Sequence, residues 1–306
     1  MDPTHGFTTD RATRLAAEGW GLDARAEALA GEFDFNFRIR ARGGERYVLK
    51  VSPVGADRRS LECQIAVLRH LRDSSVAGLV QKAVPTESGL DLLPVEDGDG
   101  QIRWVRLVSY LDGIPLVELD RRPPGLLEEI GRNLARLDLA LRGFDHPGAR
   151  RPLLWDLTAT PALGRLAEFI ADLGKRELVE SRLERFARVV TPRLGELETG
   201  VIHNDANDRN LLVRTDDDGT PRFGGLIDFG DMLHTAVIAE LAIATTYLML
   251  DRDDPLAEAA SVVRGYHSVR PLTAPERELL PDFVIARLVS SVLMSAHGRH
   301  RDPGNA

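Results

Sequence analysis

Val201-Ile202-His203-Asn204-Asp205-Ala206-Asn207-Asp208-Arg209-Asn210-Leu211-Leu212-Val213 is the stretch that decides how this chain is read. It has the form H-x-D-x-x-x-x-N between apolar flanks. Leu226-Ile227-Asp228-Phe229-Gly230 follows, with Asp228 eighteen residues beyond Asn210. The surrounding segment, Gly200 to Ile227, is β-rich, so the two polar clusters sit at the mouth of one hairpin. Asp205 offers a carboxylate there. Asn210 and Asp228 offer the oxygen donors that a hard divalent cation takes. Singly each motif is common, because H-x-D arises by chance and Asp/Asn-rich loops usually just turn. The order and spacing of the pair carry the weight.

Upstream, Phe33, Phe35, Phe37 and Ile39 alternate with Asp34, Asn36 and Arg38, the period of a half-buried strand. A turn at Arg42-Gly43-Gly44-Glu45 leads into a second β-rich run, Arg46 to Ser52, and the two form a hairpin. Leu61, Ile65, Leu68 and Leu71 have helical spacing and predict a helix over Arg59–Arg72. Further strands are expected at Leu90–Val95 and Arg103–Tyr110. Residues 33–110 therefore read as a small antiparallel sheet with one helix against it. The Ala-rich stretches Arg11–Ala17 and Ala24–Ala30 read as short helices. Beyond Gly113 the texture is helical, with candidates at Gly125–Leu141, Pro161–Asp172, Leu178–Val190 and a set from Val237 to about Ser295. Ala296–Ala306 is polar and expected to fray.

The chain has 306 residues, 43% of them apolar and 28% charged, which supports a core of two domains or one bilobed domain. A net charge of -8 argues against a nucleic-acid binder. The single cysteine, Cys63, allows neither an internal disulfide nor a thiolate zinc site. The longest apolar stretch, Leu241–Leu250, is too short to span a bilayer, and no secretory signal is expected from the opening residues. These features predict a cytoplasmic protein without membrane or nucleic-acid partners, as a monomer or homodimer. Only three of the 39 basic residues are lysine: Lys50, Lys82 and Lys175.

A catalytic loop, then a hairpin, then Asp-Phe-Gly is the order of the kinase superfold. Phosphoryl transfer needs a carboxylate to orient or deprotonate the attacking hydroxyl, and Asp205 fits. It also needs oxygen ligands for Mg²⁺, and Asn210 with Asp228 fit. A strand lysine to hold nucleotide phosphates is expected, and Lys50 in Val48-Leu49-Lys50-Val51 stands where one belongs. Its retention in an arginine-dominated chain favours function, since guanidinium is no substitute for a compact ammonium. Glu62 is the candidate helix glutamate to hold that lysine. Ser109 and Leu111, in Val108-Ser109-Tyr110-Leu111-Asp112-Gly113, occupy the position from which backbone groups would meet adenine.

These residues resemble the aminoglycoside phosphotransferase and choline kinase-like family of small-molecule kinases. The likeness covers roughly residues 25–270 and leans towards the hydroxylysine kinase-like branch. Glu32 to Phe37, Tyr47-Val48-Leu49-Lys50, His203 to Asn210 and Ile227-Asp228-Phe229-Gly230-Asp231-Met232 carry it. Protein kinases are a poorer likeness: no G-x-G-x-x-G precedes Lys50, no arginine precedes Asp205, and no A-P-E follows Gly230. Asn204 stands where this family commonly has glycine, and Glu240-Leu241-Ala242 where it has Asp-Leu-Ala.

The resemblance implies an α+β, bilobed, protein-kinase-like fold: an N-lobe at 1–108, a hinge at 109–113 and a helical C-lobe at 114–306. It implies ATP, or GTP, as phosphate donor with Mg²⁺. The acceptor would be the hydroxyl of a small amine or amino acid such as hydroxylysine, homoserine or ethanolamine. Trp155, Asp208, Arg209 and Asp231 are acceptor-site candidates, with Asp156 and Glu240 as further acidic ones. These carboxylates suit a cationic acceptor. The alternatives are an antibiotic-modifying phosphotransferase and a non-catalytic nucleotide-binding module.

Overall fold

A computed structural model describes residues 6–31 and 34–302. Glu32 and Phe33, and the tail beyond Asp302, lie outside the described residues. The chain divides into two compact units. One runs up to Asp112 and includes the later segment His146–Gly148. The other is Gly113–Asp145 together with everything from Ala149 on.

The first unit opens with α1 (Thr9–Trp20), capped by Thr8, whose hydroxyl accepts the Arg11 N–H. Then come β1 (Ala24–Leu29), β2 (Phe35–Ala41), β3 (Arg46–Val51), α2 (Arg58–His70), β4 (Ala83–Val84), β5 (Leu93–Glu96) and β6 (Ile102–Ser109). All pairings are antiparallel, in the order β1-β2-β3-β6-β4 with β5 also on β6. The β2–β3 hairpin closes at Gly44, whose φ of 98° only glycine adopts without strain. One sheet face, with Phe37, Ile39, Leu49, Val51, Val105 and Leu107, packs on Ala12, Leu15, Ala16 and Trp20 of α1. Leu61 and Ile65 of α2 pack against Leu92, with Trp104 of β6 against them, so α2 covers the other face. Gly148 returns to this unit so close to α2 that a Cβ there would collide with the Arg59 carbonyl.

β1 corrects the expectation of a helix at Ala24–Ala30. Alanine favours helix, but six residues here pair with β2 in register, Ala24 opposite Ala41 through Leu29 opposite Asn36. Ala24 and Ala26 turn inward onto the α1 core, and Glu27 bonds its cross-strand neighbour Arg38 at 2.6 Å. Sheet pairing and alternating burial override a weak propensity.

The second unit contains β7 (Ile114–Pro115), α3 (Leu126–Leu141), α4 (Leu173–Val189), β8 (Thr199–Ile202), β9 (Leu211–Thr215), β10 (Pro221–Leu226) and β11 (Leu233–Ala236). It ends in α5 (Ile238–Met249), α6 (Pro255–Val269) and α7 (Ala274–Arg301). The strands form two small antiparallel sheets, β10-β9-β7 and β11-β8. The helix expected at Pro161–Asp172 is instead a run of 3₁₀ turns over Leu157–Phe169, because Pro161 interrupts the α ladder. α4 then starts at Leu173, earlier than expected, with the Asp172 carboxylate accepting the Lys175 N–H. The expected fraying after Ala296 is also corrected, since α7 stays helical to Arg301.

α7 is long and apolar enough to cross a membrane by length and composition, although more than half of its apolar window is buried. It also carries buried Glu276, Asp282 and Arg287. It packs through Val289, Leu293 and Ala296 on the 3₁₀ run and α4, as a core helix of this unit does.

Candidate active site

In the second unit the loop between β8 and β9 is held by its own side chains. Asn210 Nδ2 donates to the Asp205 carbonyl at 2.9 Å and to its Oδ2 at 2.8 Å. Asp205 Oδ1 accepts Asn207 Nδ2 at 3.0 Å. These bonds fix the carboxylate's plane and use the amide's nitrogen side, leaving Asn210 Oδ1 as its acceptor atom. The Ile227 N–H donates to the Asn210 carbonyl at 3.0 Å, which ties Asp228 to this loop by the chain, and the oxygens of the two residues are of the kind Mg²⁺ takes when phosphates and water complete its shell. Among the described residues no cluster of three or more His, Cys, Asp or Glu forms a protein-only cage.

His203 ties this loop to the Asp-Phe-Gly segment. Its Nδ1 accepts the Asp205 N–H at 3.2 Å, so Nε2 carries the proton and donates it to the Ile227 carbonyl at 3.0 Å. The ring is wholly buried and meets Phe229 edge-on at 4.7 Å. Burial pulls its pKa down to about 4, so the imidazole stays neutral. Asn204 and Asp228 both adopt left-handed backbone, φ 66° and 65°. Asparagine tolerates that region better than most residues, which explains its place in a position glycine commonly takes. The Asn204 N–H donates to Glu240 Oε2 at 2.9 Å. Glu240 is thus a buried anchor for the loop rather than an acceptor-site group. Its pKa is raised to about 7, chiefly by burial.

Asp205 is itself raised to about 7. Burial is the main cause, Arg287 opposes it, and Asp231 and Asp228 add to it. Arg287, from α7, was not singled out from the sequence. Its Nη2 lies 3.2 Å from Asp205 Oδ1 and 3.0 Å from the Tyr247 hydroxyl. Its guanidinium stacks 4.3 Å over Trp155 and 5.2 Å from the Tyr247 ring centre. The Trp155 face that could have met a substrate ammonium therefore already holds a protein cation. Asp231 acts on Asp205 through its charge. The Asp208 carbonyl accepts the Val117 N–H, and Arg209 is exposed. Asp156 is a cap: its Oδ1 accepts the Thr158 N–H and the Thr158 and Thr235 hydroxyls.

In the first unit Lys50 stands between Leu49 and Val51 and so faces away from the α1 core. Its Nζ lies 3.4 Å from Asp34 Oδ2, and the same carboxylate binds Arg106 at 2.6 Å. Arg106 stands opposite Lys50 in the β3–β6 register and also bonds Gln64 of α2. Glu62 was expected to hold Lys50, but its ion pair is with Arg58 at 2.8 Å, along α2 itself. The helix phase explains this. Gln64 shares the buried face with Leu61 and Ile65, whereas Glu62 sits one position off it. Ser109 pairs with Lys82: its N–H donates to the Lys82 carbonyl and its hydroxyl accepts the Lys82 N–H. Leu111 lies beyond that pairing.

Comparison with known proteins identifies the family. Residues 25–279 match the model of the phosphotransferase enzyme family. Hydroxylysine kinase from Mus musculus is 31% identical, over 98% of this chain and 84% of its own. Homoserine kinase from Phenylobacterium zucineum is 28% identical, over 98% and 88%. Among solved structures, a microcompartment-associated aminopropanol kinase superposes with a TM-score of 0.72 at 22% identity, over 94% of this chain and 90% of that one. An amicoumacin kinase in complex with AMP-PNP and Ca²⁺ gives 0.73 at 16%, over 95% and 87%. The bilobed α+β fold is that of protein-kinase-like phosphotransferases. The chain belongs to the phosphotransferase enzyme family and is an ATP-dependent small-molecule kinase.

Proposed function

We propose that this kinase phosphorylates the hydroxyl of a small hydroxy amino acid or amino alcohol, with ATP as donor and Mg²⁺ as its metal. The observation that carries the reading is the clamp on Asp205, whose two carboxylate oxygens are held by Asn207, Asn210 and Arg287. A carboxylate so fixed, with a pKa near neutrality, is suited to general-base work. As the acceptor oxygen bonds the γ-phosphorus and the bond to the ADP oxygen breaks, the hydroxyl proton passes to Asp205.

Asn210 and Asp228 would hold Mg²⁺, which neutralises phosphate charge when bound. Lys50, steadied by Asp34, binds phosphate oxygens, and the Leu111 backbone meets the base. The acceptor class follows the relatives, hydroxylysine and homoserine kinases.

The test is ADP release over hydroxy amino acids, amino alcohols and aminoglycosides, with Asp205→Asn as the variant. Turnover on the small acceptors should fall about 10³-fold in Asp205→Asn while nucleotide binding persists. Turnover confined to an aminoglycoside, or an unaffected variant, overturns the reading.

A further inference from the structure

Arg287 holds more donors than the protein uses. Its Nη2 serves Asp205 and Tyr247, yet Nε and Nη1 are buried with no hydrogen-bond partner among the described residues. Together those two nitrogens carry three N–H groups. The side chain is only 3% exposed, while Asp205 beside it is 23% exposed. A buried guanidinium with unmet donors is a costly arrangement, and an anionic oxygen is the partner that relieves it best. The covering rings, Trp155 and Tyr247, are themselves half-buried and so reach the surface.

The surroundings decide which anion comes. Arg287 makes the one ion pair to the His203–Asn210 loop among the described residues, and it does so on the carboxylate that receives the acceptor hydroxyl. Asp231 and Asp228 add negative charge that acts on Asp205. An acceptor carboxylate entering this negative field has, among the described residues, one cation beside Asp205 with unmet donors, Arg287. We propose that Arg287 recognises the carboxylate of the acceptor, so that the enzyme selects hydroxy amino acids over the amino alcohols that lack this group. Arg209, the guanidinium nearest the base in sequence, is exposed and offers no such seat. The inference rests on the proposed kinase reaction and narrows its substrate class.

The experiment compares kcat/KM, by ADP release, for homoserine, homoserine amide and 3-amino-1-propanol in the parent, Arg287→Lys and Arg287→Met. The parent should prefer homoserine to both analogues by about 100-fold or more, as sites built around a polar substrate group do. Arg287→Met should bring that ratio close to one, and Arg287→Lys should restore part of it. Equal loss on all three acceptors with the ratio unmoved overturns the assignment and leaves Arg287 as a positioning residue for Asp205. A parent that uses the amide as well as the acid overturns it without any variant. So does an Arg209→Met variant that moves the ratio when Arg287→Met does not. No ADP release from the parent on any hydroxyl acceptor rejects the kinase reading itself and takes this inference with it.

Discussion

Asp205 is pulled two ways. Burial and the charges of Asp231 and Asp228 favour its protonated form, while Arg287 and Asn207 favour the carboxylate. Its pKa of about 7 therefore places the loss of the active carboxylate within the working pH range. The sign is set by the group's role. A base must be unprotonated, so kcat/KM should rise with pH through about 7 and fall about tenfold for each unit below it. A profile flat from pH 5.5 to 8 would contradict this; His203 stays neutral to about pH 4, and Glu240, near 7, is the other group of this loop that titrates in that range. The spacing of Asp205 and Asn210 was legible in the sequence, and the structure brings the two side chains into hydrogen-bond contact. Arg287 was not legible there. It lies 82 residues from Asp205, on a helix whose pattern signals only a core, in a chain whose basic residues are nearly all arginine. Asp34 carries no sequence signal beyond its polar place in an alternating strand, and the spacing of Glu62 does not reveal that its helix phase turns it to Arg58.

At the scale of elements, α3 and α6 are packed through two glycines. A Cβ at Gly131 would collide with the Val262 carbonyl, and one at Gly265 with the Glu128 carbonyl. Each helix thus lays its backbone directly on the other. Gly131→Ala should destabilise the protein by about 1–3 kcal/mol, the usual cost of overpacking, despite alanine's better helix propensity. A denaturation midpoint unchanged or raised in that variant would refute the close crossing. The β2–β3 hairpin, α2, α3 and the strands around the catalytic loop were readable because apolar period and turn residues agreed. β1 was not, since short alanine-rich segments carry no strong period. The 3₁₀ run before α4 has helical spacing of leucines, and only Pro161 hinted that the α ladder would fail.

For the whole molecule, the net charge of -8 should concentrate cations at the carboxylate-lined site. Raising salt from about 0.05 to 0.5 M shortens the screening length severalfold. The KM for hydroxylysine, with net positive charge, should then climb several-fold, while that for zwitterionic homoserine changes little. Equal responses from the two acceptors would show that the field plays no part.

The segment His146–Gly148 has a consequence for how the protein is made. It belongs to the first unit, seated against the Arg59 turn of α2, yet it follows α3, which belongs to the second. On the ribosome, the first unit cannot reach its finished form when Asp112 emerges. It waits until α3 has also left the exit tunnel. Chain order and spatial order are interleaved, and a gene cut after Asp112 would encode a first unit with an open flank along α2.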